Sequence, residues 1–127
     1  MLKPQYEALL GIPFEYYARG PNSYDCYGFL MRVYKDFNGI TIPDYGSNHE
    51  VEKIALLFAH GIQEWAEVEP REGVAVLMRV SGYGSHVGYC VGDGLFMHTW
   101  EQSAGVVIER LEVWKHRIIG FYDYAGS

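Results

Sequence analysis

At 127 residues the chain is about one domain long, and with 49% hydrophobic and 16% aromatic residues it can bury a core, which excludes a disordered chain. Its formal net charge of -6 leaves no basic stripe for phosphates, which excludes nucleic acid as the main partner. No apolar run approaches the roughly 20 residues that span a bilayer; Met1-Leu2-Lys3-Pro4 carries no apolar signal-peptide core; and the two cysteines make neither a disulfide framework nor a four-cysteine metal site.

Residues 1–127 read as a single domain with no repeat, low-complexity tract or linker. Gln5 to Leu10 is expected to form a short helix that Gly11 ends. An aromatic loop broken by Gly and Pro runs on to Ser23. Apolar residues then recur at Cys26, Phe29, Leu30, Val33 and Phe37, with Arg32, Lys35 and Asp36 on the other side, which is the stepping of an amphipathic helix. Asp25 suits its N-cap and Asn38-Gly39 its stop. Ile40 to Tyr45 is a return loop. Ser47-Asn48-His49-Glu50 has the form of a capping box and opens a second helix, with Val51, Ile54, Ala55 and Phe58 on one face and Gly61 as its end.

After Gly61 the period changes from helical to alternating. Strands are expected at Trp65 to Val68, Val74 to Val80, His86 to Val91, Leu95 to Trp100, Val106 to Leu111 and Arg117 to Tyr122. Gly92-Asp93-Gly94 joins two of them as a hairpin. Helices first and a run of strands afterwards imply an α+β fold, helices packed on a mainly antiparallel sheet.

Cys26, in the first turn of its helix, sits beside free backbone N–H groups and the positive end of the helix dipole, both of which favour thiolate. His86 and His98 have the same parity on the two arms of the hairpin. If Val91 pairs with Leu95 across a three-residue loop, His98 lies opposite Gly88 and diagonal to His86, roughly 7–8 Å away at the backbone. Gly88 leaves room for an imidazole, and a slip of one residue would put the histidines on opposite faces. A helix-borne thiol, a histidine on a strand and a second polar group on the next strand form a nucleophile, its base and the group that orients the base. A lone cysteine is as often a small buried residue; Cys90 is read that way, and His49, His60 and His116 as structural or surface histidines. Zinc held by Cys26, His86 and His98 is the metal alternative by ligand type. No pair of them has the short local spacing of such sites, so thiol chemistry without metal or cofactor is expected.

Asp25-Cys26-Tyr27-Gly28-Phe29 resembles the Asp-Cys-Ser-Gly-Phe motif of the NlpC/P60 family of papain-like cysteine peptidases. Ser85 to His98 resembles the family's second motif, Pro70 to Leu77 the turn and strand before it, and Pro13-Phe14-Glu15-Tyr16 its Pro-Tyr-x-Trp loop, so the resemblance covers nearly the whole chain. It implies a papain-like α+β domain that hydrolyses peptide bonds in peptidoglycan stems, commonly between D-γ-glutamyl and a diamino acid. By position Cys26 would be the nucleophile, His86 the base and His98 the orienting residue. Asp25 would hold the free amine of the stem peptide, and the backbone N–H of Cys26 would stabilise the oxyanion. Tyr27, Phe14, Tyr16, Tyr17 and Ser85 would be substrate contacts.

Two positions depart from the pattern. Tyr27 stands where the family has Ser, and Phe14 lacks the hydroxyl of the usual Tyr, which Tyr16 and Tyr17 carry nearby. Cys-Tyr-Gly followed by a Val-Tyr helix and an Ile-Pro return loop, Cys26 to Pro43, resembles the branch found in bacteriophage tail-assembly proteins. That resemblance implies a protein made in the bacterial cytoplasm and carried to the wall with the tail, with other tail-tip proteins as partners. The alternatives are a related thiol amidase or acyl-transfer enzyme keeping Cys26, His86 and His98, and a structural tail module of the same fold with little activity.

Overall fold

The computed structural model describes residues 2–44, 64–80 and 86–126. The helix expected from Ser47 to Gly61, and Ser85, lie outside the described residues. Six strands, β1 Trp65–Glu67, β2 Ala75–Met78, β3 His86–Gly92, β4 Leu95–His98, β5 Val107–Arg110 and β6 Ile118–Tyr124, form one sheet in the order β1-β6-β2-β3-β4-β5. Every neighbouring pair is antiparallel. Among the described residues the α-helical segments are α1 Pro4–Glu7, α2 Cys26–Val33 and α3 Leu111–Trp114. The expected α+β architecture is thus present. Among the described residues no helix is long and apolar enough to cross a membrane.

Local chemistry accounts for most boundaries. α1 starts with Pro4, whose missing N–H costs nothing in a first turn, and it ends at Glu7, short of the expected Leu10. α2 passes into a π-helical turn, Tyr34–Asn38, and Gly39 at φ 70° closes it in the left-handed conformation. α3 is absent from the sequence expectation: the strand expected to reach Leu111 stops at Arg110, and one helical turn follows. That turn matters because it places Trp114 on the sheet.

The hairpin between β3 and β4 differs in its turn from the expected one. Gly92, not Val91, pairs with Leu95, and the loop is the two residues Asp93-Gly94, both at positive φ (56° and 76°). That is the backbone of a tight hairpin turn whose twist suits the strands. An irregularity between Cys90 and Gly92 takes up the odd residue, so Cys90 still faces Phe96 and Tyr89 faces Met97. The register at the histidines is therefore the expected one, reached by a tight turn plus a bulge.

The sheet is buried on both faces, which is why β2 reads as a continuous apolar run. On one face Ala75, Leu77, Val87, Tyr89, Val91 and Met97 join Cys26, Phe29, Leu30, Val33 and Tyr34 of the α2 side in the main core. On the other, Val74, Val76, Met78, Cys90 and Phe96 pack with Trp114.

Candidate active site

The head of α2 is built as its sequence suggests. Asp25 is the N-cap, its Oδ1 accepting from the backbone N–H of Gly28 at 2.6 Å, a bond of a kind that stabilises a helix by about 1 kcal/mol. Cys26 is the first helical residue and 7% exposed. α2 packs on β3 and β4. The aromatic loop is stitched beside this entry by backbone bonds from Glu15 N–H to Tyr24 O, from Tyr24 N–H to Pro13 O and from Asp25 N–H to Ala18 O.

Three expected substrate contacts acquire structural partners. Asp25 Oδ1 also accepts from Arg19 Nη1 at 2.7 Å, and Arg19 reaches Asp44 through Nε at 3.2 Å and Nη2 at 3.3 Å. The carboxylate expected to hold a substrate amine thus already carries a guanidinium, one that ties the loop to the return segment. Tyr27 is 1% exposed; its hydroxyl donates to the Pro43 carbonyl and Arg19 lies over its ring at 5.8 Å. As placed, Tyr27 is a strut for the return loop and presents no surface to a substrate. This bond also joins the two ends of the Cys26 to Pro43 stretch: a phenol can span from the helix to that carbonyl, and a serine is too short. Phe14 is half-buried and packs edge-on against Tyr16 at 5.0 Å. Tyr16 and Tyr17 keep 52% and 59% of their surface exposed, Tyr17 at a left-handed φ of 65°.

The two histidines are together. His86 Nε2 and His98 Nδ1 are 2.7 Å apart, a hydrogen bond made where β3 begins and β4 ends. Gly88 permits it: a Cβ there would come within 2.8 Å of the Phe96 ring and 3.3 Å of His98 Cβ. The pair shares its face with Cys90 and Phe96, opposite the α2 core. Its roof is aromatic, with Trp100 at 5.5 Å from the His86 ring, Trp114 at 5.2 Å from the His98 ring, and Phe96 stacked on His98 at 4.6 Å. Beyond them stands a residue that the sequence reasoning missed. His98 Nε2 lies 2.6 Å from Glu109 Oε2 on β5.

The metal alternative fares poorly in this geometry. Two nitrogens bound to one tetrahedral zinc lie roughly 3.3 Å apart, given Zn–N bonds of about 2.0–2.1 Å. His86 Nε2 and His98 Nδ1 are closer than that and face each other. Among the described residues no three His, Cys, Asp or Glu side chains are grouped to hold a metal. Cys90 is buried in the second core, and burial pushes its thiol up to about 12, so it stays protonated and inert. His116 is on the surface, as expected.

Burial holds His86 well below the ordinary histidine range, and the neighbouring His98 adds to the effect. Burial also lowers His98, opposed by its hydrogen bond to Glu109. Both rings therefore stay neutral in the folded protein where the unfolded chain starts to bind protons, below about pH 6.5. The unfolded state then holds more protons, so stability rises with pH. Unfolding free energy is expected to fall as the pH drops below about 6.5, by up to about 1.4 kcal/mol per pH unit for each histidine that is still neutral in the fold. Denaturant midpoints below that pH, compared with those of His98→Gln, provide the check. The same slope in the variant would show that the buried pair is not its source.

The model of the NlpC/P60 family matches residues 11–123 of the chain. Over 115 residues the chain is 27% identical to the murein DD-endopeptidase MepS/murein LD-carboxypeptidase of Escherichia coli K12, covering 89% of the chain and 56% of that protein. The chain thus spans little more than half the length of this relative. Among solved structures it is similar to NlpC1 from Trichomonas vaginalis, with a TM-score of 0.69, 21% identity and coverage of 93% of the chain and 41% of the other. The NlpC/p60 domain of the peptidoglycan hydrolase SagA superposes with a TM-score of 0.62 at 18% identity, over 93% of the chain and 90% of that domain.

Proposed function

The chain belongs to the NlpC/P60 family, and from that premise we propose that it hydrolyses peptide bonds in peptidoglycan stems by thiol chemistry. Cys26 is the nucleophile, His86 the base and His98 the residue that orients it. The observation that carries this reading is the buried bond between His86 Nε2 and His98 Nδ1. It commits one ring nitrogen of His86 to His98, and in this reading the other, Nδ1, serves the thiol. Cys26 heads the helix that packs on β3, and His86 is the first residue of that strand. The thiol belongs to the α2 side of the sheet and the imidazole to the other, so the reaction proposed here requires them to meet around the end of the sheet where β3 begins.

In the proposed reaction His86 Nδ1 takes the proton from Cys26 Sγ. The thiolate adds to the carbonyl carbon, and the oxyanion forms beside the N–H of Cys26 at the helix terminus. The imidazolium returns the proton to the leaving amine as the C–N bond breaks. Water, deprotonated by His86, then opens the thioester and regenerates the thiol. The named activities of the E. coli relative, both on murein, support a stem-peptide substrate. Tyr16 and Tyr17, exposed on the loop stitched to the entry of α2, are proposed to meet it. The Cys26 to Pro43 resemblance, now seen to be joined by the Tyr27–Pro43 bond, supports placing the domain in a phage or prophage tail.

Mass spectrometry of muropeptides after digestion of purified sacculi tests this. The expected products are stem fragments cut within the peptide, with one water added. Release of whole stems from the glycan would replace the reading with an amidase. Unchanged sacculi would favour the structural module.

A further inference from the structure

We infer that Glu109 is a positioning residue that sets the tautomers of both histidines and thereby decides which nitrogen of His86 is the base. The inference deepens the catalytic reading above and rests on it for its consequence in catalysis, though not for its structural content.

The three side chains step diagonally across adjacent strands. Tyr89 pairs with Met97, so Gly88 comes opposite His98, and His86 is its diagonal neighbour; His98 pairs with Val107, and Glu109 is the diagonal neighbour on the far side. The bonds along this line are 2.7 Å and 2.6 Å. A carboxylate can only accept, so the proton on this side of His98 must be on Nε2. A neutral imidazole has one N–H, so His98 Nδ1 is then a bare acceptor. His86 must therefore donate from Nε2, which leaves the lone pair of His86 on Nδ1. Each proton is placed by the one before it, and the series starts at Glu109.

Without the carboxylate the pair has a second arrangement of the same atoms. His98 could donate from Nδ1 into His86 Nε2, and His86 would then carry its proton on Nδ1. A base protonated on the side of the nucleophile cannot take the thiol proton. Glu109 also has an electrostatic part to play. When His86 becomes imidazolium, its charge lies beside the rings of Trp100 and Trp114. Glu109 is the negative group reached through His98. Its side chain is 34% exposed while His98 is fully buried, so water solvates one side of the carboxylate as the other holds the ring.

Nitrogen NMR of the histidine rings in the intact protein at neutral pH tests the assignment directly, because protonated and bare ring nitrogens resonate far apart. In the wild type both His86 and His98 are expected to carry the proton on Nε2. An Nδ1–H form of either ring would overturn the inference with no variant needed. In Glu109→Ala at least one ring is expected to show the Nδ1–H form. In Glu109→Gln the side-chain carbonyl can still accept, so the wild-type tautomers should be kept. Hydrolysis by Glu109→Ala should drop on the order of 10- to 100-fold, by analogy with removal of the carboxylate that orients a metal-bound histidine. The loss should fall in kcat with KM unchanged, and Glu109→Gln should recover part of it. A residue that merely holds β5 in place would change stability without moving a ring proton. Unchanged ring shifts in a folded Glu109→Ala would refute the inference. Shifted tautomers in a protein whose Cys26→Ala variant still hydrolyses peptidoglycan would instead refute the catalytic reading and leave the role of Glu109 standing.

Discussion

Cys26→Ala is expected to lower peptidoglycan hydrolysis on the order of 10⁶-fold, the scale seen when the nucleophile of a catalytic triad is removed. Its unfolding midpoint should move by only a few degrees, because the lost atom is one sulfur at the margin of the core and the N-cap bond from Gly28 to Asp25 remains. Cys90→Ala should keep full hydrolysis. That thiol is buried in the second core among Val76, Phe96 and Trp114, and removing it leaves a small cavity and no chemical deficit. Alkylation separates the two directly. Iodoacetamide on the native protein should label Cys26, and Cys90 should react only after unfolding. Native labelling of Cys90 first, or hydrolysis surviving in Cys26→Ala, would end the nucleophile assignment.

Trp114→Ala is expected to cost about 3–5 kcal/mol of stability, as full truncation of a buried aromatic does. Trp114 is 4% exposed and is the centre of an aromatic group: Trp100 at 5.4 Å, Phe96 at 5.9 Å and His98 at 5.2 Å, with the Arg117 guanidinium 4.9 Å above its ring. Its removal would also let water reach the histidine pair. The burial that lowers both imidazoles would weaken, and the slope of stability with pH below 6.5 should flatten along with it. Urea unfolding at two pH values reads both effects. A loss below about 1 kcal/mol, far under the range for burying an aromatic, would mean that Trp114 does not roof this face. Trp114→Phe, which keeps a ring over His98, should recover much of both.

The elements that carry the site were legible wherever a local rule sufficed. Asp25 caps the helix and Cys26 opens it because the cap residue, the three-and-four apolar spacing and the stop at Gly39 all lie within one helix. The parity of His86 and His98 was readable because a hairpin with a short glycine-rich turn allows few registers. The tight turn at Asp93-Gly94 and the bulge beside it then restored the one expected, by a route that needs the backbone to see.

What tertiary structure decided has a common cause. Strand alternation says which residues share a face and leaves open what covers it. His86 and His98 were correctly placed on one face, yet that face is the Trp114 side, because α2 claimed the other with Phe29, Leu30 and Val33. Tyr27 could have pointed at a substrate or into the fold; its direction was set by the return loop, which brings the Pro43 carbonyl within reach of the hydroxyl. Glu109 was invisible because β5 follows β4 through an irregular connection containing a 3₁₀ turn, Glu101–Ser103, and such a connection, unlike a two-residue hairpin, imposes no register. The sequence by itself thus determined the helix-borne thiol and the pairing of the histidines, both products of short-range geometry. The carboxylate behind them and the aromatic roof over them arise from contacts between segments whose relative placement only the closed sheet supplies.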